Sequence, residues 1–210
     1  MAGVLYASLL TLLFPLILSW FIYRKTTTGF KVIAWYLSFV FLVNTISVIM
    51  RDLHIVNLPL LHIYTILEFA FIATFFYFIY EGKMHKYLLF IIILMFTSVA
   101  LTNAIVFRGW NHFNTIPRSI ECLITIIFCI MCYYQILTKL KSASIFNDPV
   151  FWVNTGFLIY FSGALFLFMM SNYILPLNLK LNILVWTIHA IFCDLLYVFI
   201  FIGLWKVRKT

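Results

Sequence analysis

Apolar residues run along this chain in stretches of about 20 positions, the length a helix needs to cross roughly 30 Å of hydrocarbon, and polar clusters separate them. Seven such stretches stand out: Gly3 to Tyr23, Val32 to Met50, Leu60 to Glu81, Tyr87 to Phe107, Arg118 to Thr138, Val150 to Asn172 and Ile183 to Trp205. The punctuation between them is Arg24-Lys25, Arg51-Asp52, Pro59, Glu81-Gly82-Lys83, Arg108-Gly109, Pro117 and Asn147-Asp148-Pro149. Strands of a membrane barrel alternate apolar and polar residues, whereas Ile91 to Phe96 is apolar at every position. The pattern therefore predicts an all-α polytopic membrane protein, a bundle of seven transmembrane helices in one domain spanning residues 1–210. Pro15 is expected to kink the first helix. That helix exceeds a signal-peptide core in length and has no basic residue ahead of it, so it reads as a retained span.

Composition agrees. The 210 residues are 65% hydrophobic and 10% charged, with 24 Phe and 12 Tyr. Six acidic and 14 basic side chains are too few to cover a soluble particle, which excludes a soluble enzyme, a nucleic-acid binder and a disordered chain. The net charge of +8 instead orients the bundle, because Lys and Arg concentrate on the cytoplasmic side and meet anionic membrane lipids there. Arg24, Lys25, Lys31, Lys83, Lys86, Lys139, Lys141, Lys206, Arg208 and Lys209 fall on one side; Arg51, Arg108, Arg118 and Lys180 fall on the other. Ten against four predicts an outside amino terminus and a cytoplasmic carboxyl terminus, in the inner membrane of a cell. Trp20, Trp35, Trp152 and Trp205 lie near the predicted cytoplasmic ends, where indole rings favour the headgroup layer. The connections are short, so recognition or chemistry has to use the bundle, its rims or another protein.

Ionisable groups inside a span cost roughly 2.5 to 3.5 kcal/mol on insertion and mark functional candidates. Here they are His62, Glu68, Arg118, Glu121, His189 and Asp194. With Thr65, Asn103, Asn172 and Trp186 they form the expected polar pocket, facing outward between helices 3, 5 and 7. At about 100° per residue, Arg118, Glu121, Cys122, Thr125, Cys129 and Cys132 share one stripe of helix 5. Trp186, His189, Ala190, Cys193 and Tyr197 share another on helix 7, with Asp194 at its edge. His62, Thr65 and Glu68 form a broader face of helix 3. Gly156 and Gly163 would let another backbone approach helix 6 closely.

The same residues could serve only structure, since interhelical polar contacts hold membrane bundles together without any ligand. Cys122, Cys129, Cys132 and Cys193 read as packing residues, not as a disulfide framework or a redox pair. No cofactor is expected. The histidine spacing fits no metal motif, and retinal is excluded because every lysine lies in a loop or tail. Serines lack a neighbouring base on their helical face, so no catalytic residue is assigned.

Several segments carry a resemblance: 60–69 (Leu-Leu-His-Ile-Tyr-Thr-Ile-Leu-Glu-Phe), 118–121 (Arg-Ser-Ile-Glu), 151–156 with Tyr160-Phe161-Ser162-Gly163, and 186–190 (Trp-Thr-Ile-His-Ala). They resemble a family of uncharacterised multi-spanning membrane proteins of Bacteroidota bacteria. In that family the counterparts of His62, Glu68, Arg118, Glu121, Asn154, Asn172 and His189 look like the recurring polar positions, and Asp194 departs from an expected asparagine. The resemblance implies a loose association with genes for short histidine kinases and response regulators, and the expectation is a cytoplasmic histidine kinase as partner. The expectation is a sensory or receptor-like module that binds an unidentified small molecule. The alternatives are an intramembrane lipid-modifying enzyme using Glu, His and Asp in acid–base catalysis, and a small proton-coupled transporter with Glu68 and Asp194 as its protonatable pair.

Overall fold

The computed structural model describes residues 2–80, 85–107, 109–110, 112–139, 144–174 and 178–209; the side chains of residues 2–6, 107, 139, 171–174, 179 and 209 are not among them. Lys83, Arg108 and Lys141, used above for orientation, therefore lie outside the described residues, as do the side chains of Lys139, Lys209 and Asn172.

Among the described residues there are seven α-helices and no strand: α1 (Ala2–Ile22), α2 (Thr28–Asp52), α3 (Leu58–Ile79), α4 (Lys86–Thr102), α5 (Thr115–Lys139), α6 (Pro149–Ile174) and α7 (Leu179–Lys209). All seven contain a segment long and apolar enough to cross a bilayer, which fits a multi-pass membrane protein. Most helices extend a few residues past the apolar stretch, because the polar residues at their ends still continue the backbone hydrogen bonding. Pro59, Pro117 and Pro149 stand within first turns instead of ahead of them, where the missing amide hydrogen has no helical partner to lose. Two starts are capped. Asp148 accepts from the backbone amide of Val150 at 2.8 Å, and Asn178 from that of Leu181 at 2.8 Å. After α2 the chain reverses through His54, at φ 56°. The α4 helix runs on through a π-helical turn, Asn103–Phe107, and α1 continues unbroken through Pro15.

Six helices pack in a closed sequence, α1 on α2, α2 on α3, α3 on α5, α5 on α6, α6 on α7 and α7 back on α1; α4 lies outside this ring against α3 and α5. Where apolar tails surround the bundle, close packing and interhelical hydrogen bonds replace the hydrophobic drive, and the α6–α7 seam illustrates the first. A Cβ at Gly156 would come within 2.8 Å of the Phe199 Cβ, one at Gly203 within 2.7 Å of Val153, and Gly163 lies directly beneath the ring of Phe192. The lower half of the ring interior is filled by Phe75, Phe76, Phe157 and Phe161, all fully buried, with the Phe157 ring centre 5.8 Å from Phe75 and 6.0 Å from Tyr36. At the same level Tyr80 donates to the carbonyl of Phe128 at 2.7 Å and Gln135 to that of Ile79 at 3.1 Å, joining α3 to α5. Near that end the indoles of Trp20, Trp35 and Trp152 donate to Ser38, Tyr23 and the Phe146 carbonyl, while Arg208 lies over the rings of Trp205 and Phe21.

Candidate functional site

The other half of the ring interior is not filled. A cavity of about 420 Å³ lies there, and every helix of the ring contributes to its wall, whereas α4 does not. Its rim is set by Arg51 and Asn57 beside the α2–α3 connection and by Asn114 and Thr115 at the start of α5. Ser8 and Leu9 of α1 and Trp186 and Thr187 of α7 line the sides, and Tyr36, Leu196 and Tyr197 mark its deepest level.

The α5 stripe supplies the polar wall. Arg118, Glu121, Cys122, Thr125, Cys129 and Cys132 are all buried, because their period places them on one side of a helix that is packed by α3 and α6. Through one nitrogen, Nη1, Arg118 donates to Glu68 of α3 and, at 2.6 Å, to Glu121 one turn along its own helix. Its other terminal nitrogen donates to the Tyr160 hydroxyl of α6 at 3.0 Å. The guanidinium carbon sits 4.7 Å from the ring centre of Phe168 and 5.4 Å from that of Tyr64, so the cation is enclosed by acids and by aromatic faces. The second oxygen of Glu68 accepts from Tyr64 at 2.8 Å and from Tyr36 of α2 at 3.1 Å. Glu121 differs, since its Oε1 is buried and has no hydrogen-bond partner among the described residues.

The Tyr160 hydroxyl accepts from Arg118 and also lies 3.3 Å from Nε2 of His189 on α7, a hydrogen bond whose direction follows the imidazole tautomer. Four helices are strung on one line of hydrogen bonds: Glu68 on α3, Arg118 on α5, Tyr160 on α6, His189 on α7. Phe168, Trp186 and Tyr160 surround the imidazole with ring centres at 5.3, 5.7 and 5.8 Å. The Cys193 sulfur is 3.7 Å from Nδ1 and 4.0 Å from Nε2 of the same ring.

Of the pocket residues inferred from the sequence, Thr65, Glu68, Arg118, Trp186 and His189 line the cavity, and Glu121 stands directly behind Arg118. Thr65 receives a hydrogen bond at 2.6 Å from Asn114, which ties the start of α5 to α3. His62 is buried beside the cavity, not on its wall: a carbonyl can only accept, so Nε2 of His62 is the protonated nitrogen that donates to the His112 carbonyl at 3.1 Å, fastening the α4–α5 connection to α3. Asn103 is buried at the first position of the π turn and is not on the wall of this cavity. Asp194 also lies off the wall, on the seam with α1, where Thr11 donates to it at 2.6 Å. Asn172 is in α6, and its side chain is outside the described ones.

Sequence reasoning missed Tyr36, Tyr64, Tyr160 and Asn114. Tyr64 stands one turn before Glu68, and Tyr160 lies between Gly156 and Gly163 on the close-packed face of α6; either spacing is a usable signal. Tyr36 carries none, being one of 12 tyrosines on an apolar helix. Among the described residues no three His, Cys, Asp or Glu side chains gather as metal ligands do.

The arrangement suits binding: an apolar and aromatic chamber with a few convergent polar groups, one of them a buried ion cluster. Comparisons with known protein families, with curated proteins and with solved structures find no match to this chain.

Proposed function

We propose that the chain is a membrane-embedded sensory module. Its cavity receives a small molecule from the outer face, and the bound state reaches a cytoplasmic partner through displacement of the helices. The observation that carries this reading is that one cavity of about 420 Å³ is walled by six helices, four of which share the Glu68–Arg118–Tyr160–His189 line. A molecule that rearranges any member of that line changes the relative positions of α3, α5, α6 and α7, and signalling requires two such arrangements with different ligand affinities. The charge asymmetry supports the orientation: the cavity mouth lies on the side with four basic residues, and the side with ten is left to meet the partner. The family resemblance points to a histidine kinase as that partner, and to the inner membrane as the location.

The test is thermal unfolding of the purified chain against a panel of small envelope metabolites, with co-purification of cytoplasmic proteins alongside. A ligand held at 100 times its dissociation constant adds about 2.7 kcal/mol, well within reach of a melting curve. Stabilisation that Trp186→Ala removes, together with a bound kinase, supports the reading. A chain that no compound stabilises and that brings down no partner overturns it.

A further inference from the structure

The acidic and basic side chains on the cavity wall are already turned to partners inside the protein. At the rim Arg51 donates to Asp52 at 2.8 Å. Deeper, Arg118 donates to Glu68, to Glu121 at 2.6 Å and to Tyr160 at 3.0 Å. Both oxygens of Glu68 are taken, one by Arg118 and the other by Tyr36 and Tyr64, and His189 is held against Tyr160. The Tyr64 and Phe168 rings face the guanidinium of Arg118. A charged ligand of either sign would thus leave water for a wall whose own ionic groups and ring faces are engaged, and burying a charge without a partner is costly.

One polar group of the wall differs. The Tyr197 hydroxyl of α7, at the deepest level with Tyr36 and Leu196, makes no hydrogen bond among the described residues. The residue is only 5% exposed, yet this oxygen is not sealed by protein, so the surface it keeps belongs to the cavity. A phenol both donates and accepts, and either a hydroxyl or a carbonyl satisfies it. Above this floor the wall is largely apolar, with Val43, Val48, Leu61 and Phe113 on three different sides. It is also long: from Asn57 to Glu68 on α3, and from Trp186 to Tyr197 on α7, it follows the helices for about 16 Å at their rise of roughly 1.5 Å per residue.

From these features we infer that the cavity's ligand is a neutral, elongated and mainly apolar molecule that carries a hydroxyl or carbonyl group and sets it against Tyr197. This rests on the preceding reading that the cavity is a ligand site. The body lies along the apolar wall, and the polar group gives the Tyr197 hydroxyl the partner it lacks without displacing any ion pair. The cavity volume of about 420 Å³ lies within the range of small-molecule sites, roughly 300 to 1,000 Å³.

The experiment is calorimetric titration of the full chain, in an uncharged maltoside detergent, with four compounds that share a body and differ at one end: phenylbutanol, phenylbutylammonium, phenylbutanoate and butylbenzene. The alcohol is expected to bind at least about tenfold more tightly than either charged compound, since it brings no charge into the cavity. Tyr197→Phe removes a hydroxyl that no protein group uses, and is expected to weaken the alcohol about three- to tenfold, the scale of one hydrogen bond between neutral groups, while leaving butylbenzene unchanged. Each compound meets the same micelles with both proteins, so partition into detergent cancels in that comparison. Binding of the ammonium or the carboxylate as tight as that of the alcohol overturns the assignment of a neutral ligand and leaves the sensing role standing. An alcohol affinity unchanged in Tyr197→Phe overturns the placement of the polar group. Binding by none of the four, with a stabilising compound found in the metabolite screen, overturns this inference alone; with no such compound, the ligand-site reading falls with it. The comparison of the four compounds on the wild-type chain stands by itself should the variant fail to fold.

Discussion

Arg118 and Glu68 form an ion pair between α5 and α3 with side-chain exposures of 7% and 1%. Truncating Arg118 leaves Glu68 and Glu121 without the cation they share, which costs about 3–5 kcal/mol, whereas truncating Glu68 leaves Arg118 still paired with Glu121 at 2.6 Å. Arg118→Ala is expected to lose that much and Glu68→Ala less, and the double variant to lose less than their sum. Thermal melting of the four proteins in detergent measures the coupling. Additive losses would show that the two residues contribute independently.

The α6–α7 seam gives a steric prediction. A methyl at position 163 would intrude on the Phe192 ring, and overpacking of this kind costs about 1–3 kcal/mol. Gly163→Ala is expected to lower the melting temperature, and Phe192→Leu in the same chain to restore part of the loss. No recovery in the double variant would mean that the added methyl meets something other than the ring.

Accessibility separates the four thiols. Cys122, Cys129 and Cys132 are fully buried and Cys193, on the cavity wall, is not. A membrane-permeant maleimide is expected to add one label to the native chain and four after denaturation, read by intact mass. A second label on the native chain would show that the α5 stripe opens.

Asp194 accepts from Thr11 and lies off the cavity wall. Asp194→Asn keeps an acceptor oxygen at that place, and interhelical hydrogen bonds in membranes average about 0.6 kcal/mol. The variant is expected to change stability by less than about 1 kcal/mol and to leave ligand stabilisation intact. Loss of ligand response in this variant would put Asp194 back among the functional residues.

The bundle and much of the site are legible in the sequence, for physical reasons that differ by residue. Apolar stretches of bilayer length announce helices whatever they pack against. The α5 stripe is readable because Arg118, Glu121 and Thr125 recur at helical spacing on an otherwise apolar helix, so their shared side has to be buried. Asp194 illustrates the limit: it lies at the edge of the α7 stripe, and a helix ringed by neighbours has two polar sides available, one toward the cavity and one toward α1. Periodicity gives the angle between residues and not the identity of the facing helix. Tyr160 illustrates another limit, because a tyrosine on an apolar helix looks the same whether its hydroxyl joins an ion cluster or reaches a headgroup. The cavity itself follows from how six helices meet, which no single helix encodes.

The line of hydrogen bonds also bears on how the chain is made. Synthesis delivers Glu68 to the bilayer before Arg118 exists, yet the two phenols that hold its Oε1, Tyr36 and Tyr64, are already present on the preceding helix and on its own. Arg118 then arrives with Glu121 beside it, so α5 enters carrying its own counter-charge. Each acid thus has a partner at the moment of insertion, and the ribosome's order of delivery is compatible with a cluster that becomes complete only when Tyr160 and His189 follow.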